Sequence, residues 1–85
     1  MATIEITLLG HASFRLVPDS GEVVYFDPWL DANPTCTMGV AQVDKADLVI
    51  ATHGHNDHIG DSFEICRKTG AAFVGNYELC LTAAK

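Results

Sequence analysis

The sequence is poor in basic residues, and this scarcity bears on one large class of partners. Lysine and arginine number 5 against 11 aspartates and glutamates, which gives a formal charge of −6. Proteins that bind nucleic acid usually present a cluster of positive charge, whereas the only adjacent basic pair here is Arg67–Lys68. The composition therefore does not favour a nucleic-acid partner.

Cysteines and long apolar runs are also scarce. Cys36, Cys66 and Cys80 are odd in number and form no Cys-x-x-Cys motif, which favours free thiols in a reducing compartment over a disulfide framework. The opening residues MATIEITLLG include Glu5 but no basic segment, so we expect no signal peptide. No apolar run approaches the about 20 residues of a membrane span. These features predict a cytoplasmic protein without a membrane partner.

What the chain does have is a high apolar content for its size. A chain of 85 residues can form one small domain, which buries only about 60–65% of its unfolded surface. Yet 48% of the residues are hydrophobic and the mean hydropathy is +0.17. Either the chain is a tight domain, or it is part of a larger one whose other residues cover its apolar faces.

Alternating apolar residues predict strands in the first half. Ile4, Ile6 and Leu8 alternate with polar residues, which is the period of a half-buried strand. Tight turns connect this segment to two others, and the three together predict an antiparallel meander. The predicted strands cover residues 3–9, 13–17 and 22–27.

The second half alternates between short apolar runs and helix signals. Asp61 and Glu64 resemble a capping box, Gly70 provides a helix stop, and Asn76 can cap a last helix. The order predicts an α/β (α+β) fold with an antiparallel or mixed sheet plus helices. Buried strands are predicted at 46–52 and 71–75, and helices at 61–70 and from 76 onward.

Three of the 4 histidines lie in one segment, His53-Gly54-His55-Asn56-Asp57-His58, directly after a predicted strand. In an extended loop His53 and His55 project to one side and can converge on one metal ion. Asp57 and His58 come a turn later and can reach a second ion. Gly54 would allow a tight backbone there. Imidazole suits zinc, and carboxylate suits manganese or iron. The alternative is a polar surface loop before a helix, in which Asp57 or Asp61 merely caps that helix.

The segment THGHNDHIGD resembles the His-x-His-x-Asp-His signature of the metallo-β-lactamase superfamily. LLGHASFRL followed by VVYFDPWL is similar to its branch of metal-dependent hydrolases that includes ascorbate-6-phosphate-lactonase-like proteins. The resemblance implies that residues 1–85 are the N-terminal part of a single αββα-sandwich domain, with the rest missing or on another chain.

The resemblance also implies roles for individual residues of the loop. His53 and His55 match ligands of a first metal, while Asp57 and His58 match ligands of a second. Asp57 is in addition the catalytic residue that would hold the attacking water.

Three further residues near the loop have less specific roles. Asp27 matches an acidic residue behind the site that orients the metal loop, or it ends a strand and caps a turn before Pro28. His11 would line the cleft or serve as a structural histidine. Trp29 would belong to the core or to the cleft wall.

The implied activity is hydrolysis with two divalent ions, zinc first and manganese or iron as alternatives, and a bridging hydroxide. The implied substrate is a lactone or another small ester. A histidine at 55, where the similar flavo-diiron oxygen reductases carry glutamate, favours hydrolysis over redox chemistry. A phosphodiesterase or nuclease of the same superfamily is the alternative within this class.

The loop holds fewer ligands than two metal ions need. A catalytic zinc takes three protein ligands plus water, and residues 62–85 contain no histidine. We therefore expect the isolated chain to be inactive and to bind metal weakly. Two non-catalytic alternatives stay open: a metal-binding fragment or half-site completed by a partner chain or by self-association into a homo-oligomer, and a structural remnant with an empty site.

Overall fold

The structure, a computed structural model, describes residues 3–83 and contains one mixed sheet with helices. The strands follow the order β1-β2-β3-β4-β5 across the sheet, and the predicted α+β fold is confirmed. The strands are β1 (Ile4–Gly10), β2 (Ser13–Pro18), β3 (Val24–Phe26), β4 (Leu48–Ile50) and β5 (Ala72–Val74). The helices are α1 (Asn56–Ile59), α2 (Ser62–Thr69) and α3 (Tyr77–Ala83), and a 3₁₀ turn covers Val40–Gln42.

The sheet changes from antiparallel to parallel at β3. Strands β1, β2 and β3 form the predicted antiparallel meander, while β4 and β5 run parallel to β3. Parallel neighbours need a crossover connection, which α2 provides between β4 and β5. Strands β1, β3 and β4 therefore all end at the same edge of the sheet, where the carboxyl ends of strands commonly form ligand sites.

One face of the sheet carries the core. Tyr25 and Val49 lie opposite each other on this face and are buried. Helix α2 covers them with Ile65, which has no exposed surface. Phe63 packs its ring 5.2 Å from that of Phe73 at the edge of this core.

The other face of the sheet is apolar and uncovered within the described residues. Ile4, Ile6 and Leu8 are 53%, 60% and 61% exposed, so the expectation that this side of the first strand is buried was wrong. The predicted burial of the strand at 71–75 was also wrong, because Val74 is 46% exposed. The strand pairing places apolar side chains on this face from every strand: Ile4, Ile6, Leu8, Phe14, Leu16, Val24, Phe26, Leu48, Ile50 and Val74.

The helix ends match the sequence signals with one exception. Gly70 ends α2 in the left-handed region with a φ of +79°, and Asn76 accepts a hydrogen bond from the N–H of Leu79 at 2.8 Å. Asp61 precedes α2 but its side chain does not cap the helix. Its carboxylate instead accepts the N–H groups of Leu30 and Asp31 at 2.8 and 3.0 Å. The predicted capping box is therefore wrong, because a tertiary contact uses the carboxylate.

Candidate metal centre

Three segments meet at the edge where β1, β3 and β4 end. His11 follows β1, Asp27 follows β3, and residues 51–58 follow β4. His11 and Asp27 have φ values of +55° and +47°, which are uncommon for residues other than glycine. In both residues this left-handed turn accompanies a side-chain contact to the histidine segment.

Asp27 forms hydrogen bonds to His58 and to Thr52, the residue directly before the histidine segment. Its side chain is buried, with 3% of the residue exposed. One carboxylate oxygen accepts the backbone N–H of Thr52 at 2.7 Å. The other accepts the Thr52 hydroxyl at 2.7 Å and the Nδ1–H of His58 at 2.9 Å. Hydrogen bonds of this kind set the tautomer and orientation of a metal-binding histidine, so in the neutral ring of His58 the proton lies on Nδ1 and the lone pair on Nε2.

Thr52 extends the same network to His53. Its single hydroxyl proton goes to Asp27, so its oxygen accepts a hydrogen bond from the Nδ1–H of His53 at 2.9 Å. In the neutral ring of His53 the lone pair is then likewise on Nε2. Sequence reasoning missed Thr52, although a hydroxyl residue directly before the first histidine of the segment was a usable signal.

Ser13 is a second residue that sequence reasoning did not single out as part of the site. It is fully buried, and its hydroxyl donates to the carbonyl of Asp27 and accepts the N–H of Trp29 at 3.0 Å. These bonds hold the backbone on both sides of Pro28, directly after the left-handed Asp27. Ser13 therefore has a structural use for its hydroxyl, and the sequence offered no reason to make it a nucleophile.

The predicted metal-loop histidines lie close together. The ring centroids of His53 and His55 are 4.7 Å apart, and those of His53 and His58 are 4.1 Å apart. The loop is not extended throughout, since residues Asn56–Ile59 form the short helix α1 directly after His55. Asp57 and His58 lie on this helical turn.

A second group of donors forms around Asp57. Its Oδ2 atom lies 3.0 Å from Nε2 of His11 and 3.9 Å from Nε2 of His58. One donor atom from each of these three residues lies within 4.8 Å of the others. The ring of His11 also makes an edge-on contact with Trp29 at 5.5 Å between centroids, so both residues form a wall beside the predicted metal loop.

Both carboxyl groups of the site favour the ionised form. Burial raises the pKa of Asp27, but the hydrogen bonds from Thr52 and His58 outweigh it and hold the pKa below its ordinary value. Desolvation likewise raises the pKa of Asp57, and the hydrogen bond from His11 with the nearby His58 outweighs it. The site therefore offers the negative charge of two carboxylates to a cation.

Gly60 closes the segment against the strand end. Its φ is +42°, and a Cβ placed there would lie 2.6 Å from Cα of Trp29 and 2.7 Å from the carbonyl oxygen of Pro28. Gly54, the position expected to need a tight backbone, has no such constraint, since a Cβ there would meet only a Leu79 methyl at 3.4 Å. The glycine that the packing requires is the one after the histidines.

The comparison with protein families decides the assignment of the chain. The profile described as a beta-lactamase superfamily domain matches residues 5–78. The chain belongs to the metallo-β-lactamase superfamily. The resemblance identified from the histidine segment is thereby confirmed.

Several relatives of this superfamily member are named metal-dependent hydrolases. A UPF0173 metal-dependent hydrolase of Methanopyrus kandleri is 49% identical over 80 residues, which cover 94% of this chain and 34% of the relative. One of Thermodesulfovibrio yellowstonii is 45% identical, over 88% of this chain and 29% of the relative. The chain spans about a third of the length of the curated relatives it matches.

A solved structure is similar in fold as well as in sequence. A metallo hydrolase of the hyperthermophilic archaeon Ignicoccus hospitalis superimposes with a TM-score of 0.85 at 36% identity. The alignment covers 99% of this superfamily member and 36% of the other chain. Among residues 3–83, none of the helices is long and apolar enough to cross a membrane.

Proposed function

We propose that this chain provides the metal loop of a metal-dependent hydrolase with two divalent ions, zinc being the first candidate and manganese or iron the alternatives. The observation that carries the proposal is the network behind the loop. Asp27 engages Nδ1 of His58 directly and that of His53 through Thr52. A buried carboxylate that orients two histidines in this way is typical of metal sites.

The donor set fits such ions. His53 and His55 would hold the first ion, and Asp57 and His58 the second. Bound divalent ions would supply a water activated at neutral pH and would stabilise an oxyanion. The ionised Asp57 would orient that water, while Asp27 would keep the histidines in the correct tautomer. Trp29 and His11 would bound the space in which a small substrate is placed.

For the substrate we propose a lactone or another small ester. The relatives are named only as metal-dependent hydrolases, so this choice comes from the resemblance of the Gly-His and Asp-Pro segments to lactonase-like proteins. The excess of acidic residues also disfavours a polyanionic nucleic-acid substrate. A phosphodiester is the second candidate within the same chemistry.

Further residues would complete the site. The uncovered apolar face of the sheet and the length of the relatives support a complementary half from the remainder of the protein or from a separate chain. Such a half would bury the apolar face and add metal ligands. On this proposal the isolated chain is inactive, and a non-catalytic half-site or a self-associating fragment is the alternative. The proposed location is the cytoplasm.

A chimaera tests the proposal directly. This chain would replace the matching 34% of the Methanopyrus kandleri relative, and the purified protein would be assayed with zinc or manganese on lactones and on bis-aryl phosphodiesters. We expect lactone hydrolysis that is lost in the Asp57→Asn variant and retained in the exposed-surface variant Asp44→Asn.

The outcomes separate the candidates. Hydrolysis of phosphodiesters alone would replace the lactone proposal by its alternative. A folded chimaera that binds metal but hydrolyses neither class, while the parent relative does, would contradict a hydrolytic role for this chain. Activity of the isolated 85-residue chain would contradict the need for a complementary half.

A further inference from the structure

We propose that His11 is a metal ligand, so that His11, Asp57 and His58 form a three-donor site for one divalent ion within this chain. The inference rests on the proposed function and extends it to a residue outside the histidine segment. It changes the expected behaviour of the isolated chain, because the second metal position would hold three protein ligands from this chain.

The donor atoms of the three residues converge. Nε2 of His11 and Nε2 of His58 approach the same carboxylate oxygen, Oδ2 of Asp57, at 3.0 and 3.9 Å. Zinc binds imidazole nitrogen and carboxylate oxygen at about 2.0–2.2 Å. Two ligands of one ion are therefore separated by roughly 3–4 Å, which is the range of these two distances.

Hydrogen bonding and exposure determine which donor atoms an ion can reach. Nδ1 of His58 donates to Asp27 at 2.9 Å, so its Nε2 is the nitrogen that can ligate. The side chains of His11, Asp57 and His58 are 46%, 43% and 20% exposed, so an ion from solvent can reach all three. Nε2 of His11 donates to Oδ2 of Asp57 at 3.0 Å in the metal-free chain, so binding an ion at this nitrogen would require its proton to leave for Nδ1 or for solvent.

The fold holds His11 in place. Asn33 is buried, and its side-chain amide donates to the carbonyl of Gly10 at 3.2 Å, directly before the left-handed turn of His11. The His11 ring then contacts Trp29 on one side and His58 on another, each at 5.5 Å between centroids. A ligand held by packing loses little freedom when it binds an ion.

The test is cadmium binding to the ¹⁵N-labelled chain. An imidazole nitrogen bonded to ¹¹³Cd shows a scalar coupling to the metal, and the chain has only 4 histidines to assign. We expect coupling at Nε2 of His11 and of His58 in the first ion bound. We also expect His11→Gln to weaken cadmium affinity at least about tenfold, as loss of a ligand should.

His11→Gln separates a ligand from a positioning residue. The glutamine amide can still donate a hydrogen bond to Asp57, but a neutral amide is a poor ligand for cadmium or zinc. Affinity equal to that of the unmodified chain in His11→Gln, or no coupling at His11, would overturn the inference. Unfolding curves recorded with a chelator establish that the variant keeps its fold, and His11→Asn, which tolerates the left-handed backbone, serves as the second variant.

Asp57→Asn distinguishes failure of this inference from failure of the proposed function. If Asp57→Asn abolishes binding while His11→Gln does not, His11 is not a ligand but the proposed metal loop stands. If the unmodified chain binds no cadmium at all, the three-donor site is wrong, whereas the proposed function is judged by the chimaera, which carries the complementary half.

Discussion

Replacing Asp27 by asparagine tests the hydrogen-bond network on which the proposed metal site depends. Asparagine has nearly the same size and tolerates the left-handed φ of +47°, so the backbone is retained. One oxygen still accepts the N–H of Thr52. The other becomes an NH₂ group that faces two donors, the Thr52 hydroxyl and Nδ1–H of His58.

The expected cost follows from those two lost bonds. Hydrogen bonds to a charged group contribute about 1.5–3 kcal/mol each, and Asp27 is buried, so water does not replace them. The Thr52 hydroxyl can rotate and His58 can change tautomer, which recovers part of the loss. We expect the free energy of unfolding of the metal-free chain to fall by about 2–4 kcal/mol.

The same tautomer change predicts the effect on metal binding. If His58 accepts a hydrogen bond at Nδ1 from the new amide, its proton moves to Nε2, the nitrogen proposed to bind the ion. Affinity for zinc should then fall about 10–100-fold. An Asp27→Asn variant with weakened stability and unchanged metal affinity would contradict this reasoning.

Urea unfolding followed by circular dichroism, with a chelator present, measures the stability change. Asp44→Asn is the matched control, because Asp44 is exposed and should change the stability by less than about 0.5 kcal/mol. A loss for Asp27→Asn no larger than that of the control would refute the contribution assigned to the network.

Three further predictions concern other parts of the chain. Ile65→Ala should cost about 2–5 kcal/mol in the same urea assay, since Ile65 is fully buried; a loss under about 1 kcal/mol would mean that the core relaxes around it. Gly60→Ala should lower the melting temperature far more than Gly54→Ala, because only Gly60 combines a positive φ with a backbone contact at 2.6 Å; equal shifts would contradict the close packing against Trp29. Burial raises the pKa of the Cys66 thiol, so at pH 8 iodoacetamide should modify Cys66 more slowly than the exposed Cys80. The free energy of unfolding should also fall as the pH rises through the ordinary range of thiol pKa values, because the folded state disfavours the Cys66 thiolate.

Local patterns predicted the elements and the histidine segment well. The strand alternation in residues 3–9, the turn chemistry of the meander and the helix stop at Gly70 depend on interactions within a few residues, so a sequence reports them directly. The same holds for the histidine segment. His53, His55, Asp57 and His58 lie within six consecutive residues, so they all come to the same edge of the sheet.

Burial and long-range contacts could not be predicted in the same way. The exposure of Ile6 and Val74 depends on what covers the sheet, and an apolar pattern does not distinguish a covered face from an uncovered one. Asp61 has the spacing of a helix cap, yet the carboxylate binds the N–H groups of Leu30 and Asp31. When a side chain has two available partners, the packing of the whole chain decides which one it binds, and its neighbours in sequence do not.

The sequence therefore determined the superfamily, the order of the elements and the segment proposed as the metal loop, because each follows from short-range spacing. Only the tertiary structure showed that Asp27 orients His58 directly and His53 through Thr52. It alone placed His11 beside Asp57, 46 positions away in the chain. The physical reason is that β1, β3 and β4 end at one edge of the sheet. Strand pairing brings residues together there that are far apart in sequence, and their separation along the chain does not predict the contact.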